Sequence, residues 1–180
     1  MPTLGVIADT HVPQRLPRLP AGLDRAFRGV ELILHAGDLN RLSVLRELER
    51  IAPTVAVAGN ADLFHTGLPA RRVVEIDGKR IGLTHGHGSW PHYLIRKLKE
   101  HLRFKYDGNS YIRAVRAAFA HEPIDAIVFG HTHRCYQQTV DGRLIFNPGP
   151  VAPRYYNTPG PQVGLLHVRA TGLRAEVIEL

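Results

Sequence analysis

The chain has 180 residues, 44% hydrophobic and 22% charged, which suits one globular domain with a real core and excludes a disordered or fibrous chain. Its formal net charge of +7 favours anionic partners. No apolar run approaches the roughly 20 residues a membrane helix needs, so no membrane partner is expected.

Met1-Pro2-Thr3-Leu4 runs straight into an expected strand and lacks the regions of a signal peptide. The single Cys135 rules out an internal disulfide framework and is read as a buried, inert thiol. Together these features place the chain in the cytoplasm as one domain over residues 1–180.

Residues 3–8 form an apolar run that predicts a first strand, ending at Asp9-Thr10-His11. Pro13, Pro17 and Pro20 make the next segment a loop. A short helix is expected over 23–30 and a buried strand over 32–36, ending at Gly37-Asp38. Leu42, Leu45, Leu48 and Ile51 recur at helical spacing within 41–51. A third strand over 54–58 ends at Gly59-Asn60-Ala61-Asp62. Short strands separated by helix-sized segments imply a parallel sheet with crossovers.

Asp77-Gly78 sits between strand-like runs at 71–77 and 79–84, a strong hairpin signal, and the second run ends at His85-Gly86-His87. Two amphipathic helices are expected over 90–103 and 110–121, broken at Asp107-Gly108-Asn109. Residues 124–129 read as a strand buried on both faces. Gly130 then allows a sharp turn and close approach, and His131 and His133, alternating with Thr132, point the same way. Hairpins follow around Asp141-Gly142, joining 136–140 to 143–146, and around Gly172, joining 163–169 to 173–179. Between them, 147–161 is a Pro/Gly loop. The expected class is α/β, with two mixed sheets packed together and helices outside.

Five apolar strands thus end in residues that bind metal. Ligands in open α/β sheets gather at the carboxyl ends of strands. Bringing these ends together collects four histidines, two aspartates and an asparagine. That mixed nitrogen and oxygen set suits Mn, Fe, Zn or Ni better than Ca or Mg. It holds too many donors for one ion, and two ions sharing a carboxylate is the natural arrangement.

Asp9-x-His11, Gly37-Asp38, Gly59-Asn60-x-Asp62, His85-Gly86-His87 and Gly130-His131-Thr132-His133 resemble the five signature blocks of calcineurin-like metallophosphoesterases. The length and Asn147-Pro148-Gly149 resemble the small, single-domain phosphodiesterase branch of bacteria and archaea. The resemblance implies a four-layer αββα sandwich. It implies that Asp9, His11 and His133 hold one divalent ion, that Asn60, His85 and His131 hold a second, and that Asp38 bridges the two. Manganese is the expected metal, with Ni, Fe, Zn or Co as alternatives. His87 resembles an accessory position, and Asp62 positions the Asn60 loop. The implied reaction is hydrolysis of a small phosphodiester by a metal-bridging hydroxide, with Asp38, Asn60 and His87 serving the chemistry.

Two departures stand out. Many family members carry a histidine after the third-block asparagine, as the acid for the leaving group. Here that position is Ala61, leaving His87 or a metal-bound water as stand-in. The late motif often reads Asn-Pro-Gly-Ser, and Pro150 removes that hydroxyl and a backbone donor.

The densest basic region is 95–103 with Lys105, Arg113 and Arg116. It reads as the solvated face of two helices in preference to a nucleic-acid surface. Trp90, Tyr93, Phe104 and Tyr106 are expected to pack those helices onto the sheet, with base stacking as the alternative. Arg154, Tyr155 and Tyr156 either rim the substrate pocket or form a plain surface loop. Apolar residues on the 90–103 helix suit a homo-oligomer. The competing functions are a non-catalytic scaffold, which a retromer subunit of this fold resembles, and a weak nuclease or nucleotide phosphohydrolase. The presence of all seven expected ligands argues against the scaffold.

Overall fold

Three short apolar strands, β1 (Thr3–Ile7), β2 (Leu32–His35) and β3 (Thr54–Ala56), lie parallel, with Leu4 opposite Leu32 and His35 opposite Ala56. The connections between them carry α1 (Leu23–Ala26) and α2 (Ser43–Leu48). Strand β9 (Gln162–Arg169) pairs antiparallel with the free side of β1, and β10 (Gly172–Glu179) pairs with β9. The second sheet contains β4 (Arg71–Ile76), β5 (Lys79–Thr84), β6 (Ala126–Val128), β7 (Tyr136–Val140) and β8 (Arg143–Asn147), in the order β4-β5-β6-β8-β7. Its three inner strands are parallel and its two edges antiparallel. Helices α3 (Trp90–Arg103) and α4 (Gly108–Ala117) separate β5 from β6 in the chain. This computed structural model describes residues 1–62, 66–103, 108–152 and 160–180.

Side chains alternate across each strand, and this sorts the core into layers. Leu4, Val6 and Ala8 face Ile81, Leu83, Ala126, Val128 and Phe146 between the two sheets. Ile7, Ile33 and Val163 face outward, against Leu23, Phe27, Val44 and Leu48 from the α1 and α2 region. On the far side Ile127, Phe129 and Ile145 meet Val115 and Phe119 from the α4 region. The order is helix, sheet, sheet, helix, as expected. Gly5 and Gly82 let the outer rings lie flat on the sheets, since a Cβ would sit 3.0 Å from a Phe27 ring carbon or 2.9 Å from one of Phe119.

The helices differ most from the sequence reading. The 23–30 helix stops at Ala26, and Gly29 beyond it takes a φ of +79°. The 41–51 helix shrinks to Ser43–Leu48 and leaves Leu42 exposed. Neither helix has a side-chain cap to hold an extra turn. The expected break at 107–109 is displaced, because Gly108 and Asn109 already belong to α4; Asp107 lies outside the described residues. No helix among the described residues is long and apolar enough to cross a membrane. Helix α3 carries an exposed apolar face of Leu94, Ile95, Leu98 and Leu102.

Candidate metal centre

The loops after β1, β2, β3, β5 and β6 meet at one end of the paired sheets. Backbone hydrogen bonds knit them together. Asp9 N–H donates to Gly37 O at 3.0 Å, His11 N–H to Asp38 O at 2.9 Å and Gly130 N–H to His85 O at 3.2 Å. Two glycines are needed for closeness. A Cβ on Gly59 would lie 2.0 Å from Asp38 Oδ1, and one on Gly130 would lie 2.9 Å from Ala8 Cβ. Gly130 therefore serves the approach of β6 to β1, and the positive φ angles fall on the residues around it. Asp9, His11, Asp38, His131 and His133 have φ values of 54°, 45°, 59°, 68° and 52°. Such values in non-glycine residues concentrate where a site is being shaped.

All seven expected ligands come together. Donor atoms of Asp9, His11 and His133 lie within 4.8 Å of one another, as do those of Asp9, Asp38 and His85. His85 Nε2 is 3.2 Å from Asn60 Oδ1 and 3.2 Å from His131 Nδ1. The Asp38 carboxylate spans the group: Oδ2 is 3.5 Å from His11 Nε2 and Oδ1 is 3.4 Å from His85 Nε2. The closeness of Asp9 to His85 was not anticipated from spacing.

The outward ring nitrogens are oriented by their partners. His85 Nδ1–H donates to Ala36 O at 2.7 Å, and His11 Nδ1–H to Asn40 Oδ1 at 3.2 Å. That leaves each Nε2 lone pair facing inward, as metal-binding imidazoles require. His11 Nε2, His131 Nε2 and His133 Nδ1 are buried with no hydrogen-bond partner among the described residues. These orphaned nitrogens, with the Asp9, Asp38, His85 and Asn60 donor atoms beside them, form a donor set of the kind that holds a cation. These residues fit divalent metal.

The electrostatics agree. Burial, with Asp38 adding to it, raises the Asp9 carboxyl to about 7 against the pull of His85. Burial would also raise Asp38, but His85, Ala61 N–H and His11 outweigh it and hold that carboxyl well below the usual range. Burial disfavours a charged His85, yet the two aspartates reverse this and raise it to about 9. A proton there stands in for a metal. Burial lowers His133 to about 3, helped by His11 and Arg15, and lowers His11 and His131 as well.

Of the supporting residues, Asp62 and Asn147 lay in the motifs already named, whereas His35 and Arg15 did not. The Asp62 carboxylate accepts four backbone N–H groups, from Asp38 at 2.7 Å, Asn40 at 2.8 Å, Gly59 at 2.9 Å and Leu39 at 3.2 Å. It ties the β2 loop to the β3 loop, as expected for the residue that positions Asn60. Buried His35 accepts Gly37 N–H on Nδ1 at 3.1 Å, so its Nε2–H points to Thr10 Oγ1 at 3.2 Å. Asn147 Nδ2 donates to Gly130 O at 2.8 Å and steadies the His131 loop. Arg15 Nη1 reaches His133 Nε2 at 3.4 Å. A polar residue inside an apolar strand run, His35, was the one available clue.

The Tyr93 ring centroid lies 5.5 Å from that of His131, and the Trp90 centroid 5.9 Å from that of His87; Trp90 is exposed where packing onto the sheet was expected, and Tyr93 is half-buried. A second reading is corrected outright. Cys135 is an exposed residue, not a buried one. Its thiol lies between Pro148 O and Gln162 Oε1, and partial burial raises its pKa. Phe104, Lys105, Tyr106, Arg154, Tyr155 and Tyr156 lie outside the described residues.

His87 lies close by, its ring centroid 5.6 Å from that of His85 and 6.2 Å from that of His131. Ala61, where an acid was sought, presents its backbone N–H to Asp38 Oδ1 at 2.9 Å.

Residues 3–171 match the model of the calcineurin-like phosphoesterase superfamily domain. A probable metallophosphoesterase of Methanothermobacter thermautotrophicus is 36% identical over 97% of this chain and 91% of its own length. A phosphodiesterase of Methanocaldococcus jannaschii is 27% identical over 98% of this chain and 99% of its own. Vps29 of Chaetomium thermophilum shares the fold, with a TM-score of 0.73 at 19% identity over 98% of this chain and 95% of that one. The chain belongs to the calcineurin-like phosphoesterase superfamily.

Proposed function

We propose that this protein is a metal-dependent phosphoesterase with two divalent ions, acting on phosphodiesters. Asp9, His11 and His133 hold one ion, Asn60, His85 and His131 hold the other, and Asp38 joins them. The observation that carries this reading is the Asp38 carboxylate, with one oxygen toward His11 and the other toward His85. The mixed imidazole and carboxylate donor set, without thiolates, suits Mn, Fe, Ni, Zn or Co, and manganese is the ion tried first.

When bound, such ions neutralise phosphoryl charge and acidify water into a nucleophile. The chain's own residues arrange the rest. His85 and His11 are fixed by Ala36 O and Asn40, so their lone pairs stay aimed inward. The Asn60 amide, beside His85, also orients a phosphoryl oxygen. With Ala61 in place of an acid, His87 is the nearest remaining imidazole able to give a proton to a leaving group. Esters with activated leaving groups need that proton least. The phosphodiesterase name of the Methanocaldococcus jannaschii relative supports diesters over monoesters. The net charge of +7 supports an anionic substrate.

The test is a screen of metal-free protein with Mn, Ni, Fe, Zn and Co against aryl diesters, cyclic nucleotides and monoesters. Hydrolysis of aryl diesters with Mn, abolished together with metal binding in Asp38→Ala, is expected. No hydrolysis with any ion would favour the scaffold reading. The exposed leucines of α3 support a homo-oligomer; a monomer at every concentration in sedimentation would remove it.

A further inference from the structure

We propose that Trp90 and Tyr93 form a wall for a planar aromatic group of the substrate, so that the preferred diesters carry a nucleobase. This rests on the phosphoesterase reading above. The first turn of α3 sets the two rings perpendicular, with centroids 5.5 Å apart. Tyr93 touches the ring of His131, and both rings contact His87, at 5.9 Å from Trp90 and 6.0 Å from Tyr93. A chain of ring contacts therefore links the His131 and His87 imidazoles to exposed Trp90. Among the described residues neither ring belongs to any of the three apolar cores, and Trp90 is 39% exposed. Trp90 is thus largely outside the core, with half-buried Tyr93 beside it. Ser89 supports the turn: Tyr93 N–H donates to Ser89 O at 2.9 Å, and Ser89 Oγ lies 2.7 Å from His92 Nδ1. Lys97 Nζ lies 5.9 Å from the Tyr93 ring centroid and adds a cation beside the wall, suited to an anionic ester. Every nucleobase has a face that stacks on such rings, and one stacked base is worth about tenfold or more in affinity.

The experiment compares three diesters that share one leaving group, p-nitrophenolate, on the manganese-loaded protein. Their second alcohols are thymidine, through its 5′ oxygen, phenol and methanol. The thymidine ester is expected to have a KM about tenfold below the methyl ester and below the phenyl ester. In Trp90→Ala the ratio between thymidine and methyl esters is expected to collapse to about one. Trp90 is the only tryptophan, so its fluorescence reports the wall without turnover. Thymidine 5′-monophosphate is expected to quench it, and methyl phosphate is not. Equal KM values, an unchanged ratio in Trp90→Ala, a gain confined to the phenyl ester, or no quenching by thymidine 5′-monophosphate would each overturn the proposal. If no ester is cleaved, the phosphoesterase reading fails on its own, and the fluorescence titration still decides whether the wall binds a base.

Discussion

Five of the seven expected ligand residues hold a left-handed backbone, at a cost on the order of 1–3 kcal/mol each. Residue types and spacing announced the ligands, because strand ends close to Asp, His and Asn are legible in one dimension. The left-handed angles were not, since Asp and His adopt them only where surrounding hydrogen bonds insist. His85 yields a pH prediction. Without metal its folded pKa is raised to about 9, so from neutral pH up to that value a proton occupies the metal's place. Manganese binding should release a proton near pH 7.5, and affinity should rise with pH until about 9. Calorimetry in buffers of different ionisation enthalpy reads the release; no release would contradict the protonated His85. Ala61 yields another. Ala61→His should raise kcat for alkyl diesters at least tenfold and for aryl diesters far less, because only poor leaving groups need an acid. Equal gains on both classes would contradict the assignment.

At the scale of elements, every expected strand is present, although β3 and β6 keep only three residues each of their apolar runs. Helix α3 matches its expected span, whereas α1 and α2 fall short, since they lack caps and draw their stability from the face they bury. The site depends on loops more than on either. Asp62 illustrates this: its own segment is a turn, and the resemblance implied that it positions the Asn60 loop, but its four N–H partners on two loops emerge only once β2 and β3 are paired. Asp62→Asn removes the charge and turns an N–H donor toward other donors. Each lost charged hydrogen bond is worth about 1.5–3 kcal/mol, so a loss of about 2 kcal/mol or more is expected in urea unfolding. Metal affinity should fall with it, because Asp38 and Asn60 are carried by those loops. A change below about 0.5 kcal/mol would show that the loops hold without the carboxylate.

Across the whole molecule, the buried histidines set how the metal-free protein responds to acid. His35 is lowered to about 4 by burial, against an ordinary value of 6.5, with Asp62 opposing. Between those values the unfolded chain binds more protons than the folded one. The stability from neutral His35 is therefore complete above pH 6.5 and lost as pH falls toward 4, on the order of 3 kcal/mol. His11, His131 and His133 act in the same direction. Asp9, raised to about 7, acts in the opposite one, its contribution fading as pH rises from 3.8 through 7. His85, raised to about 9, also opposes, but mainly above pH 6.5. Below that, four lowered histidines outweigh the one raised carboxyl, so the Tm of metal-free protein should climb from pH 5 to 6.5. A flat or falling Tm over that window would contradict it.

The central claim is that one carboxylate joins two cations. Anomalous diffraction from manganese-soaked crystals measures this directly. Two manganese peaks per chain are expected, one on each side of Asp38, with His11 beside the first and His85 beside the second. A single peak, or two peaks with Asp38 bound to neither, would contradict it.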